Sequence, residues 1–534
     1  MPVLGVRYGQ KVLIGGQEIK AVVGQSSKNS DKKDSLVRVD DKKSEVKVRE
    51  MPVIKKNGEL KREVKEVDGR NLPSEKNYSS LRKFKKFWKL GVQELNTEYF
   101  DINQQGVLTV KEGNNQYNIQ QLVEKYGSPV EIYFPFILEE RLTSIIDLFN
   151  FYIKYFKYRG KFYYHYPMKV NQNKEIILPI VSEGANLEAS SYNELYLVKK
   201  LWEQGSFHEK IKVICNGPKT EKYLALIEEL RNNNLSIIPI IEDNKELEFL
   251  QKYKGDVGIR VDLRTKVRSH WDKKINRYGF TEEEIKKIGK VRNLKILHYH
   301  LGSQVEYLDD IFNSVKKGME VYVQLKKKNP SLDTLDIGGG LPIPYDRKKH
   351  YSIDSLVRKI IRHLNSVADQ KKIAPPDIIC EWGRFVAAPS QMTVFKILSS
   401  KTIPKGNAKA WYVIDGSFMN DLMDTWAIHQ CWHVLPVNHL MASKLNRCWL
   451  AGLSCDTDDK YIAHGHYILL PKITNLKEGE SLYVAFLDTG AYQNALASHH
   501  CLLSWPARLL AENGVVRQIR RHETPDDVGK IYGW

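Results

Sequence analysis

No run in the 534-residue sequence reaches the roughly 18 consecutive apolar residues that a membrane-spanning helix needs, so no membrane association is expected. Met1 to Gly5 carries no basic stretch followed by a sustained apolar core, so a secretory signal is not expected either. Cysteine is scarce. The six residues, Cys215, Cys380, Cys431, Cys448, Cys455 and Cys501, are scattered and show no CxxC or finger-like spacing. That disfavours structural zinc and a disulfide framework, and it points to a reduced, cytoplasmic setting. His499-His500-Cys501 has no second half-site and reads as part of a packed segment. No internal repeat is evident.

What the chain does have is 42% apolar and 10% aromatic residues, enough for a large core and two or more domains. Its net charge of +18 is unevenly placed, for residues 1–90 hold 23 basic and 12 acidic side chains. Nucleic acid is the obvious partner for a basic end, but the acids mixed into it and its few aromatics disfavour that reading. Residues 1–85 are expected to be a lysine-rich, partly flexible extension. From Trp88 the character changes. Tyr99–Asn103 and Val107–Val110 flank Gln104-Gln105-Gly106 in a hairpin pattern, and residues 86–130 are expected to pack with a later β domain.

From about residue 130 short apolar runs recur, most followed by a helical stretch such as Asn193–Gln204 or Thr220–Asn232. After a preliminary run at Val130–Phe134 they end near Lys169, Glu188, Cys215, Ile240, Arg260, His300, Ile337 and Cys380. Eight strand–helix units predict an α/β fold, a closed (β/α)₈ barrel spanning 131–390, over an open doubly wound sheet. Polar or glycine residues stand at those ends, and in a barrel the ends converge on one mouth. Beyond residue 390 strand-like runs follow without long helices (Thr393–Ile397, Ala410–Ile414, Arg447–Leu450, Ser481–Phe486, Val515–Ile519), predicting an antiparallel β domain over 391–534.

Lys169, in Tyr166-Pro167-Met168-Lys169-Val170-Asn171-Gln172, closes an aromatic strand. A buried ammonium there is costly, so it either snorkels to solvent or has a depressed pKa and bonds covalently to a carbonyl cofactor. Asp336-Ile337-Gly338-Gly339-Gly340 opens a strand onto three glycines whose backbone can approach an anion closely, although a tight turn has the same pattern. It matches neither a dinucleotide fingerprint nor a P-loop. Glu381-Trp382-Gly383-Arg384 offers a carboxylate for a pyridine nitrogen and a guanidinium for phosphate, or simply an ion pair. His300 can stack on a flat ring and Ser303 can bond a phosphate oxygen. Cys455-Asp456-Thr457-Asp458-Asp459 is an acidic turn, and Tyr492 offers a phenol.

On these motifs, together with Leu187-Glu188-Ala189-Ser190, Cys215-Asn216-Gly217 and Trp426–Gln430, residues 86–534 resemble the fold type III pyridoxal-phosphate decarboxylases of basic amino acids, most of all the arginine branch. The resemblance implies an alanine-racemase-like barrel, pyridoxal 5′-phosphate as cofactor, and conversion of arginine to agmatine and carbon dioxide for polyamine synthesis. It assigns cofactor attachment to Lys169, the ring nitrogen to Glu381, ring stacking to His300, and the phosphate to Ser303, Gly339, Gly340, Arg384 and Tyr492, with Gly338 beside them. Glu188 and Arg260 would line the cofactor site. Cys455 would protonate Cα and Asp456 would meet the distal cation of the substrate, both reaching into a partner's barrel in a homodimer. Leu335, Asp336, Leu341 and Tyr345 would contact substrate. A magnesium requirement and a higher oligomer are implied by the family alone.

The sequence also departs from the family. Trp382 is bulky for its place, Asn276-Arg277-Tyr278-Gly279 replaces a serine-lysine-phenylalanine-glycine stretch, and the helical insertion of bacterial arginine enzymes is missing. Asp415-Gly416 resembles the ornithine and diaminopimelate branch, where an aspartate helps choose the substrate. Ornithine, lysine or diaminopimelate therefore stay open as substrates. So does an inactive homologue that binds and regulates an active decarboxylase.

Overall fold

The computed structural model describes residues 75–206, 211–250, 252–269, 277–345 and 351–534, with short strands at 11–14, 17–20, 22–23, 36–38 and 45–47. Residues 1–79 and 80–534 are separate units. In the first, Lys11–Ile14 pairs antiparallel with Gln17–Lys20, and Leu36–Arg38 lies between Val22–Val23 and Glu45–Lys47. The expectation for the remainder of the extension lies outside the described residues, as does Asn276.

Eight parallel strands form the centre of the second unit: β1 (Phe162–Pro167), β2 (Asn186–Ala189), β3 (Lys212–Cys215), β4 (Ser236–Ile241), β5 (Val257–Asp262), β6 (Leu294–His298), β7 (Thr334–Asp336) and β8 (Asp377–Cys380). β1 pairs with both β2 and β8, and β4 pairs with β5, so the ring closes. The strands are apolar because both faces are buried. Side-chain alternation sends Leu187, Val213, Leu297 and Leu335 outward into the helix-facing core, while Tyr163, Ile214, Ile238, Ile240, Ile296 and Ile379 pack together inside. The helices begin on capped turns: the Ser191 and Thr220 hydroxyls accept from the backbone N–H groups of Glu194 and Tyr223.

One inward position further along the strands, the interior turns polar. Glu188, Asn216, Glu242, Arg260, His298, Asp336 and Glu381 sit at or just past the C-terminal ends of seven strands, and all but Arg260 are buried. Of the residues foreseen at the mouth, Glu188, Arg260 and Glu381 belong to this layer.

The chain leaves the barrel through a single turn, Ala388–Ser390, and enters the 12-residue strand Gln391–Thr402 with no helical insertion between. That strand pairs antiparallel with Ala410–Ile414, Tyr483–Phe486 and Val130–Tyr133. The second sheet is mainly antiparallel, as expected, but two pairings are parallel: Ala410–Ile414 with Leu445–Ala451, and Ala507–Glu512 with Val130–Tyr133. Val130–Tyr133 thus belongs to this sheet, and the barrel proper begins after it with the helix Pro135–Tyr155. Residues 100–118 form a three-stranded meander, with Phe100 opposite Val110 and Ile102 opposite Leu108. Leu108 N–H donates to Val437 O at 2.7 Å and Trp88 Nε1–H to Leu440 O at 2.8 Å, tying this segment to the second sheet.

Candidate active site

Lys169 lies just past β1 on the 3-10 turn Met168–Val170, which puts its side chain over the mouth of the barrel. Its Nζ is 3.1 Å from Glu188 Oε2. Burial pushes the ammonium pKa down, but the carboxylates of Glu188 and Glu381 outweigh it and the net direction is up. The depressed pKa expected from the sequence is corrected accordingly: this lysine faces two acids and not an apolar wall.

Glu381 stands opposite, one residue past β8. Its Oε1 accepts from Asn216 Nδ2 at 3.1 Å, whereas Oε2 is buried and accepts no hydrogen bond. His300 Nδ1 is 3.4 Å from Oε2, but that nitrogen takes the Gly339 N–H at 3.3 Å and so presents a lone pair. Burial, then the charge of Asp336, raise the pKa of Glu381. Asp336 itself is pushed up to about 7 by burial. It accepts from Gly338 N–H at 2.9 Å and is 2.8 Å from His298 Nδ1, while burial holds His298 down at about 4.

At the far side of the cavity Arg384 is 4% exposed. It donates from Nε to Ser303 Oγ at 2.9 Å and from Nη1 to the Tyr345 hydroxyl at 2.5 Å. Nη1 also pairs with Asp424 at 3.2 Å, and the guanidinium lies 4.5 Å from the centre of the Tyr492 ring. Tyr492 comes from the second domain, and its N–H donates to Val170 O at 2.7 Å, fastening that loop to the turn that carries Lys169. Between these groups runs the glycine segment. A Cβ on Gly338 would fall 2.2 Å from Tyr299 O, and one on Gly339 2.8 Å from His300 Cε1. Only glycine lets the backbone lie this close.

Lys169, His300, Ser303, Gly339, Gly340, Leu341, Glu381, Arg384 and Tyr492 line one small open cavity. A larger hollow of about 260 Å³ lies by Trp426, His429, Asp458 and His464 and shares none of these side chains. Chemistry and not size marks the site. A buried carboxylate oxygen without a donor, a lysine, and an arginine–serine pair beside a glycine cradle fit the ring nitrogen, aldehyde and phosphate of pyridoxal phosphate. His298, His300 and Glu381 also bring metal-type ligand atoms within 4.8 Å of one another. Two imidazoles and one carboxylate suit a transition metal better than magnesium, which favours oxygen and water.

Other sequence-predicted residues fall elsewhere. Leu335 is fully buried among outward-facing core residues, because strand alternation puts it on the face opposite Asp336. Asp336 lies beneath the cavity as the partner of His298. Tyr345 is buried against Arg384, leaving Leu341 as the predicted substrate contact that lines the cavity. Arg260 is paired with Glu242 at 3.0 Å, in the layer below. Asp415 is not brought to the mouth. It accepts from Ser128 Oγ and from Lys396 N–H, where it braces strands of the second sheet. Trp382 borders the cavity, and its buried ring packs against Phe149, 5.6 Å between ring centres. Cys455 and Asp456 are on a loop of the second domain outside the cavity, and Cys455 is exposed. Asp424 and Glu242 escaped the sequence reading, although a buried guanidinium always asks for a counter-charge.

A barrel with this mouth has the residues that could hold pyridoxal phosphate. Residues 142–388 match the family model described as pyridoxal-dependent decarboxylase, pyridoxal binding domain. The similarity to the pyridoxal-dependent decarboxylases therefore runs through the barrel. It is 24% identical to the biosynthetic arginine decarboxylase of Bacteroides thetaiotaomicron over 76% of this chain and 84% of that one. With the arginine decarboxylase of Avena sativa the figures are 24%, 77% and 84%. Among solved structures, the biosynthetic arginine decarboxylase of Campylobacter jejuni superposes with a TM-score of 0.71 at 20% identity, covering 83% of this chain and 92% of that one. Diaminopimelate decarboxylase of M. jannaschii, in co-complex with L-lysine, gives 0.68 at 23%, covering 81% and 97%. These two share the fold with this chain.

Proposed function

We propose that this enzyme decarboxylates L-arginine to agmatine and carbon dioxide. The observation that carries the decarboxylase chemistry is the unpartnered Oε2 of Glu381 facing Lys169 across a cavity that ends in Arg384, Ser303 and a glycine cradle. Bound there, pyridoxal phosphate supplies the electron sink for the pair left behind when the carboxylate departs. Glu381 would hold a proton at the ring nitrogen, and Lys169 would hold the cofactor. His300 would pack against the ring, and Arg384, Ser303, Tyr492 and the amides of Gly339 and Gly340 would bind the phosphate. Cys455 of a second copy returns a proton to Cα, and Asp456 of that copy pairs with the distal cation of the substrate.

Arginine is favoured over ornithine, lysine and diaminopimelate by the relatives that span three quarters of the chain. The position of Asp415, braced by Ser128 and Lys396, also removes the residue that resembled the other branch. A homodimer is supported by Cys455 and Asp456 lying outside their own chain's cavity, with Leu453 and Leu502 exposed beside the two cysteines of that edge. Among the described residues no helix is long and apolar enough to cross a membrane, and a cytoplasmic enzyme is the setting we infer. Carbon dioxide release from a panel of the four amino acids tests the reading. Arginine is expected to turn over fastest, and turnover of another substrate with arginine inert would overturn the specificity.

A further inference from the structure

Two of the six cysteines are exposed, and they are the two that meet: Cys455 Sγ lies 3.7 Å from Cys501 Sγ across 46 residues of sequence. Cys215, Cys380, Cys431 and Cys448 are buried apart from them. The meeting is built into the fold, because one short segment anchors both loops. Phe418 N–H donates to Asp459 Oδ1 at 2.7 Å, and Asp459 Oδ2 takes Ser454 N–H at 3.0 Å, fixing the turn that carries Cys455. Two residues on, Asn420 Oδ1 takes the His500 N–H at 3.0 Å and Asn420 Nδ2 donates to His500 O at 3.3 Å, fixing the loop that carries Cys501. His500 Nε2 and Asp456 Oδ2 stand 3.6 Å apart across the same gap. A disulfide needs the sulfurs at about 2.05 Å, so oxidation has to draw the two sulfurs together.

We propose that Cys455 and Cys501 are a thiol pair that oxidises reversibly to an intrachain disulfide and withdraws the Cys455 thiol from the decarboxylase. The oxidant is a hydroperoxide. The thiolate of one cysteine attacks a peroxide oxygen and becomes a sulfenic acid as the O–O bond breaks. The other thiol then attacks that sulfur, the S–O bond breaks, and water leaves. Two thiols and one hydrogen peroxide give one disulfide and two waters, with two electrons passing from sulfur to oxygen. An external dithiol reverses the step. The contact with Cys501 holds the Cys455 thiol above its usual range, and the oxidation is expected to quicken as peroxide and pH rise.

The effect on turnover rests on Cys455 being the acid for Cα, whereas the disulfide itself does not. The experiment therefore reads both. The holoenzyme is treated with hydrogen peroxide, the remaining thiols are alkylated, and the protein is digested without reductant. Expected are a cross-linked peptide containing Cys455 and Cys501, a loss of about 2 Da with no oxygen gained, turnover lowered about tenfold or more, and recovery with dithiothreitol. Cys501→Ser and Cys501→Ala should keep basal turnover and lose the dithiothreitol-reversible step. Separately alkylated or singly oxidised Cys455 and Cys501, with no cross-linked peptide, would overturn the pair. A mapped disulfide with unchanged turnover would keep the pair and overturn the role given to Cys455.

Discussion

Two clusters of buried charge in this protein are arranged in opposite ways. In the second sheet Glu131 Oε2 accepts from Arg508 Nε at 2.9 Å, Arg508 Nη2 at 2.8 Å and Arg520 Nη2 at 2.9 Å, while Oε1 takes Asn494 Nδ2 at 2.5 Å. Both carboxylate oxygens of Glu131 are engaged. At the barrel mouth Glu381 Oε2 and His298 Nε2 are buried without partners, around a cavity. A closed ion cluster fixes strands against one another. An open one keeps costly desolvated atoms available for something that arrives later. The difference separates structural from functional charge where residue type alone does not.

Removing Lys169 should break the comparison hardest. Lys169→Ala is expected to abolish cofactor absorbance and lower turnover by about 10⁴-fold or more, with the fold intact by circular dichroism. Exchanging the two glutamates sharpens it. Glu131→Gln leaves two arginines without an anion and should cost about 3–5 kcal/mol in urea unfolding, while cofactor binding by the folded fraction stays unchanged. Glu381→Gln should leave stability equal or higher and lower turnover by about 10²- to 10³-fold with cofactor still bound. Equal stability losses in the two variants would erase the distinction. Arg384→Lys comes next. Lysine lacks the planar fork that reaches Ser303, Tyr345 and Asp424 together, and cofactor dissociation, read by absorbance, should rise about tenfold.

The smallest effect concerns pH. Asp336, pushed up to about 7 by burial, binds its proton more tightly folded than unfolded. Its contribution to stability is therefore full below about pH 4 and is lost as pH rises through about 7. Asp336→Asn should flatten the unfolding free energy of the cofactor-free protein across that window. An unchanged slope would place the ionised form of Asp336 in the fold.

The barrel was legible because parallel strands buried on both faces write themselves as apolar runs. Every foreseen strand end falls within two residues of one observed, from Pro167 to Cys380. Lys169, Glu381 and the glycines were legible for the same reason: polar residues directly after such runs have few structural explanations. Ala507–Glu512 was missed, since its pairing partner Val130–Tyr133 lies more than 370 residues earlier and no local pattern announces it. Leu335 was misplaced by reading a motif without applying the alternation that turns it outward. Asp415 was misread because a residue resembling a family motif can be occupied elsewhere, and only its partners, Ser128 and Lys396, reveal that. The ion pair of Arg384 with Asp424 and the meeting of Cys455 with Cys501 join distant loops, and spacing along the chain carries no trace of either.

The most direct test is to incubate the protein with pyridoxal phosphate, reduce it with borohydride and map the pyridoxyl group. Labelling of the peptide containing Lys169 is predicted, at one group per chain, with none in Lys169→Ala. Labelling spread over surface lysines, or retained in that variant, would contradict the assignment of the barrel mouth as the active site.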